Sequence, residues 1–325
     1  MAVNIFVDLP GGLRMPALGY GTWQSSDKEL EDAMEQALEA GYRHIDTAYV
    51  YENEKVIGKV VNKWISQGKL KREDLFLVTK LPPSGNRPQS VGKFLKRSLA
   101  NLQVDYVDLY LVHVPMGFND IEGQLHPVKP NGEVDFDFTT DLVAVWKEME
   151  RFKDEGLAKS IGVSNFNQNQ IQRIISHGRI HPVCLQIELH AYFQQKEMVK
   201  YCKENNIVVT CYSPLGAPGL GKFLSAFGQQ VELPDLLGNP TVDAISKKHN
   251  KTPAQVLLRH CLQKGLVAIP KSVTPKRIRE NIDIFNFKLD DQDMTQLNEL
   301  DQGPAARLLD FTSFKGVKNH PEYPF

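Results

Sequence analysis

Eight short runs rich in β-branched and aromatic residues alternate with longer amphipathic stretches along most of the chain, and this alternation limits the available folds more than any other feature. The runs fall at 18–20, 42–46, 75–80, 107–113, 160–163, 185–188, 208–212 and 267–269. Helical periodicity separates them at 54–66, 91–102, 142–153, 168–175, 196–204 and 253–264. The helix after the first run shows its own boundaries: Ser26 with Glu29 fits a capping box, and Met34, Ala37 and Leu38 carry an apolar face to a stop at Gly41. Repeated strand-then-helix order implies a parallel sheet, and eight such units imply closure into a (β/α)8 TIM barrel. A hairpin is expected ahead of it, with strands at 5–9 and 13–17 around Pro10-Gly11-Gly12. Segments 114–138, 214–238 and 302–325 exceed the repeat, and long connections after strands belong on the C-terminal face, where barrels place their sites.

A chain of 325 residues, 42% of them hydrophobic, is enough for one barrel domain spanning the whole sequence. Its 38 basic and 39 acidic residues nearly cancel, which argues against nucleic acid or an anionic membrane as partner and for a small molecule bound by a monomer. The start, MAVNIFVDLPGG, has neither a basic region nor a long apolar core, and no run of about 18 apolar residues occurs, so a cytoplasmic protein is expected. Cys184, Cys202, Cys211 and Cys261 form no C-x-x-C pair and read as reduced core residues.

Chemistry concentrates where strands end. Asp46, Lys80 and His113 close three successive runs, and side chains there point into a barrel's mouth. A lysine cation beside a phenol stabilises phenolate, which is expected to acidify a nearby tyrosine, while Asp46 keeps the lysine charged. A neutral His113 would donate a hydrogen bond to a carbonyl oxygen. Two phenols follow Asp46, Tyr49 and Tyr51, and the residues alone do not rank them. Each strand-end group has a plain structural reading as a cap or a satisfied core group; their joint placement carries the functional one. His181 and His190 are isolated and read as structural, and no H-E-x-x-H helix suggests a metal. Gly19-Tyr20-Gly21 lacks the third glycine of a dinucleotide fingerprint. The near P-loop from Gly216 to Lys222 continues with Phe223 where a hydroxyl would hold magnesium.

The stretches D-T-A-Y-V-Y-E-N-E (46–54), T-K (79–80) and Y-L-V-H (110–113) resemble the aldo-keto reductase family, and the likeness covers nearly the whole chain. The resemblance implies a tetrad of Asp46, Tyr51, Lys80 and His113, with Tyr51 rather than Tyr49 as proton donor. It implies NADPH as cofactor, approached by Gly21, Thr22 and Trp23, with Ser164, Asn165 and Gln186 on the nicotinamide amide and Tyr212 stacked on its ring. Ser213, Leu215, Ser272, Val273, Thr274, Glu280 and Asn281 would also bind the cofactor, and Lys271, Lys276, Arg277 and Arg279, around a helix start near Thr274, would grip its 2′-phosphate. The implied reaction is hydride addition to an aldehyde or ketone, in a pocket lined by Trp23, Val50, His113, Val114, Phe118 and Leu308 and the tail to Phe311. Val114 and Pro82 stand where aldose reductases carry tryptophans, which implies a wider, less aromatic pocket. T-K-L-P-P-S-G and H-V-P-M-G-F are similar to insect members, some of which reduce steroid-like ketones. Competing readings are a non-catalytic NADPH-binding member and an unrelated barrel using Lys80 as a Schiff-base amine.

Overall fold

Side-chain parity along the strands builds the molecule. In the computed structural model, which describes residues 5–225 and 233–325, the eight runs become parallel strands: β1 Tyr20–Gly21, β2 His44–Asp46, β3 Phe76–Leu81, β4 Val107–Val112, β5 Ala158–Ser164, β6 Cys184–Glu188, β7 Val208–Tyr212 and β8 Val267–Ala268. Successive residues face opposite sides of a strand. Accordingly Phe76, Val78, Leu109, Leu111, Cys184 and Val267 fill the interior, whereas Leu77, Leu81, Tyr110, Val112, Ile161, Val163, Leu185, Ile187, Val209 and Cys211 pack outward with the helices.

The strands are hydrogen-bonded in sequence order, and a parallel bridge between Leu18 and Ala268 joins the two ends of the sheet. Closure continues as Gly19 and Gly21 donate their N–H groups to Ala268 and Pro270. The approach leaves no room for a side chain at Gly21, where a Cβ would lie 2.7 Å from the Ile269 carbonyl oxygen. A hairpin of Phe6–Asp8 and Arg14–Pro16 caps the opposite end, with Leu9 and Met15 inserted among the interior side chains.

Helices Asp27–Ala40, Glu54–Ser66, Pro88–Leu102, Leu142–Asp154, Gln168–His177, Lys196–Glu204, Pro253–Gln263 and Pro275–Ile282 surround the barrel. The first stops at Gly41 in a left-handed conformation, as its sequence predicts, but Ser26 makes no side-chain cap bond, so the expected capping box does not form. Capping boxes do form at Asn167 with Gln170 and at Thr252 with Gln255. Helices Pro240–His249 and Asp291–Asn298 are additions that the sequence reading passed over; each has a side-chain N-cap, Asn239 and Asp290. Segment 214–238 contains a short helix, Leu220–Ser225, and its residues 226–232 lie outside the described residues. All four cysteines are buried and free. Among the described residues no helix is long and apolar enough to cross a membrane.

Candidate active site

Six interior columns, those of β2 to β7, end in a polar residue. Beyond Phe76 and Val78 the third inward side chain of β3 is Lys80, fully buried, and the column of β4 runs through Leu109 and Leu111 to His113. On β2 it ends at Asp46, on β5 at Ser164, on β6 at Gln186 and Glu188, and on β7 at Tyr212. Register brings these ends together: Asp46 pairs with Gly21 and Val78, Gln186 with Ser164 and Thr210, and Glu188 with Tyr212.

Lys80 Nζ donates to Asp46 Oδ1 at 2.6 Å, to the Thr47 carbonyl at 2.9 Å and to Tyr51 Oη at 3.3 Å. The second carboxylate oxygen of Asp46 accepts from Gln186 Nε2 at 2.7 Å. Tyr49 and Tyr51 share the single 3₁₀ turn Tyr49–Tyr51. Three residues complete such a turn, so positions two apart diverge. The ring of Tyr49 packs edge-on against Phe94 at 5.0 Å, in the helix layer, while Tyr51 reaches Lys80 and lies edge-on to His113 at 5.6 Å. The structure thus brings Tyr51, and not Tyr49, to the lysine.

Burial governs the protonation of this group. It pushes the Tyr51 hydroxyl well above its ordinary value, with Asp46 adding to the rise, and it lowers Lys80 against the pull of Asp46. The phenol expected to be acidified is therefore, as folded, held firmly in its protonated form. Desolvation penalises a phenolate more than one distant contact to an ammonium favours it. His113 is driven well below the ordinary imidazole value by burial, then by Lys80 and His126, which keeps its ring neutral.

Residues 164–165 and 212–213 form the neighbouring wall. Asn165 Nδ2 donates to the His113 carbonyl at 2.9 Å, and its Oδ1 accepts from the Tyr212 hydroxyl at 2.8 Å. Asn165 and Ser213 adopt positive φ, 62° and 52°, immediately after their strands. Such backbone is uncommon for residues other than glycine and concentrates at functional sites. Thr22 is fully buried and bonds the Asp46 carbonyl through its hydroxyl at 2.9 Å, and Gly21 serves barrel closure.

The other expected binding residues lie on loops that follow the strands and around one helix start. Trp23, Val50, Leu215 and Leu308 are half-buried near loop ends. Phe118 is a correction: it has no exposed surface, because Phe136, Phe314 and His126 surround its ring, so it stands behind the wall instead of lining it. Val114 is also buried, in the same cluster with Met116. Lys271, Thr274 and Arg277 are exposed around the start of Pro275–Ile282; Ser272 accepts a hydrogen bond from Tyr20 through its carbonyl at 2.6 Å; Val273 is half-buried, and Asn281 is buried. Glu280 pairs with Lys276 at 3.7 Å.

Several supporting residues escaped sequence reading. Asn53 donates to the Thr22 and Ser25 carbonyls and accepts from Thr47, stitching β1 and β2 together. Asn86 holds the carbonyls of Val114 and Met116 at 2.8 and 3.0 Å. Both lie close to the strand-end motifs, but their neighbours in sequence, Glu52 and Glu54 for one and Gly85 and Arg87 for the other, are those of ordinary exposed loops and gave no signal.

A closed parallel barrel with lysine, carboxylate, phenol and imidazole at its C-terminal mouth has the architecture of a barrel oxidoreductase. Residues 17–302 match the model of the aldo/keto reductase family. The chain is 41% identical to bovine (Bos taurus) dihydrodiol dehydrogenase 3, over 98% of this chain and 97% of that protein. It is 42% identical to the human protein aldo-keto reductase family 1 member C4, over the same shares. The solved structure of the aldose reductase from Schistosoma japonicum superposes with a TM-score of 0.89 at 41% identity, covering 99% of this chain and 98% of that one. The chain belongs to the aldo/keto reductase family and is an oxidoreductase barrel.

Proposed function

We propose that the protein is an NADPH-dependent reductase of aldehydes and ketones, acting as a monomer in the cytoplasm, with Tyr51 as general acid. The observation that carries this reading is the Asp46–Lys80–Tyr51 chain, at 2.6 and 3.3 Å, beside a neutral His113. A carbonyl oxygen seated between Tyr51 Oη and the His113 ring would meet two neutral donors. As that oxygen gains charge, Tyr51 delivers its proton, and the resulting phenolate is stabilised by Lys80 Nζ. Lys80 thus acts on the product of proton transfer, in keeping with a phenol that stays protonated beforehand.

The residues present fit a nicotinamide dinucleotide phosphate. Gln186 donates its Nε2 to Asp46 and leaves Oε1 without a partner among the described residues, an acceptor suited to a carboxamide N–H. Lys271 and Arg277 are exposed with no ion pair among the described residues, a charge placement suited to a phosphate. Asn165 and Tyr212 supply a polar edge and an aromatic face between them. When bound, the reduced nicotinamide supplies the hydride that adds to the carbonyl carbon.

The similar proteins include one named for dihydrodiol oxidation, which together with a mouth lacking tryptophan at Val114 and Pro82 supports bulky cyclic or steroid-like ketones as substrates. Tyr51→Phe tests the mechanism by removing one hydroxyl. NADPH-coupled turnover should fall by roughly 10²–10⁴-fold with NADPH affinity retained. Near wild-type turnover would sink the mechanism, and tight NADPH binding without any carbonyl-dependent oxidation in the wild type would replace enzyme by binding protein.

A further inference from the structure

We propose that Glu188 is a positioning residue for carbonyl selectivity, its carboxylate latching the C-terminal tail above the mouth; this rests on the carbonyl-reductase reading. Glu188 ends β6 two residues after Gln186, so both side chains face the interior, with Glu188 about 7 Å further toward the mouth. It is 1% exposed, yet no lysine or arginine forms an ion pair with it among the described residues. Its Oε1 accepts the N–H of Leu308 and its Oε2 that of Leu309, both at 2.8 Å. His190 Nε2 lies 3.0 Å from Oε1, with both side chains fully buried. Gln195 Nε2 fixes the Glu188 backbone by donating to its carbonyl at 2.6 Å.

A buried carboxylate whose two oxygens each receive a tail amide is a device for holding backbone, because only an acceptor at both positions satisfies two N–H donors. The residue just before the latch is pinned as well: the Arg307 guanidinium lies 4.6 Å from the Phe193 ring centroid and 3.6 Å from that of Phe325. Beyond it, Phe311, Phe314 and Tyr323 pack on Val114, Met116 and Phe118, the segment that directly follows His113. Glu188 therefore connects the strand that touches Asp46 to the tail that backs the wall beside His113. A substrate large enough to reach that wall feels Glu188, and a short aldehyde does not.

Glu188→Gln tests this, since it keeps shape but turns one acceptor into a donor facing an N–H. Two readouts are compared with wild type: amide hydrogen exchange of the peptide spanning 305–312, and the ratio of kcat/KM for a bulky cyclic ketone to that for propanal with NADPH. Exchange should quicken at least about 10-fold in the tail while β7 peptides keep their rates, and the ratio should fall about 5-fold or more, mainly through KM of the ketone. Unchanged tail exchange overturns the latch; quickened exchange with an unchanged ratio overturns its role in selectivity. If Glu188→Gln does not fold, Leu309→Pro deletes one donated N–H from the tail side and is read in the same way. Wild-type protein that binds NADPH but fails to oxidise it with any carbonyl compound supplied would defeat the enzyme reading and with it the selectivity claim, whereas the exchange result still decides the latch on its own.

Discussion

The two halves of the barrel interior are built from the same strands and differ by one inward-facing position. In the lower half Phe76, Val78, Leu109, Leu111, Cys184 and Val267 meet the hairpin residues Leu9 and Met15 in an apolar plug. One step further along the same strands the columns end in Lys80, His113 and Gln186, beside Asp46 of β2. The lower half gains stability by excluding water, whereas the upper half keeps a charged pair dry at a cost in desolvation, offset only by its mutual hydrogen bonds. The apolar half is therefore the foundation on which an otherwise unfavourable polar layer is held in place.

Lys80→Met should break this contrast most sharply. Turnover should drop by roughly 10²–10⁴-fold, and stability by about 3–5 kcal/mol because the Asp46 carboxylate is left buried without its partner. Urea unfolding of the Asp46→Asn/Lys80→Met double variant should recover much of the stability and none of the turnover. An additive loss would mean that the pair is not coupled as its 2.6 Å contact implies. Leu111→Ala makes the reciprocal cut in the lower half. It should cost about 2–5 kcal/mol while kcat per folded molecule stays within about 2-fold, and a large fall in kcat would erase the division of labour.

Acid acts on the upper half through His113. Its folded pKa lies well below that of the unfolded chain, so below pH 6.5 the unfolded state binds a proton that the folded state lacks. Stability is then fully present above pH 6.5 and declines as pH falls, by at most about 1.4 kcal/mol per pH unit for one histidine. Denaturant unfolding at pH 7 and pH 5 should show a smaller decline for His113→Asn than for wild type; equal slopes would contradict the buried neutral ring. Smallest of all is Ser26→Ala, outside both halves, which should change Tm negligibly because the hydroxyl makes no cap bond.

Strand periodicity made the barrel legible: Lys80 and His113 could be placed at the mouth because inward positions recur every second residue. The choice between Tyr49 and Tyr51 was not legible from that pattern, since a 3₁₀ turn follows neither the strand nor the helix period. Ser26 misled because a capping motif competes with its surroundings, and here Asp27 enters the helix through φ of 51°. Phe118 misled for a different reason. Its neighbours Phe136 and Phe314 come from a distant part of the loop and from the tail, and no local pattern reports such long-range packing. Glu188 carried no local signal either, because the amides its carboxylate holds, those of Leu308 and Leu309, lie 120 and 121 residues further along the chain.

Barrel closure also sets an order of events for the growing chain. The Tyr20 hydroxyl meets the Ser272 carbonyl 252 residues later, so β1 must wait for nearly the entire polypeptide before its second edge is covered. At roughly 5–20 residues per second that wait is on the order of 10–50 s. During it β1 exposes an unpaired edge, the surface on which neighbouring nascent chains mispair. The ring of strand ends around Asp46, Lys80 and His113 is complete only once β8 has emerged, so the polar mouth and the closed barrel are reached together.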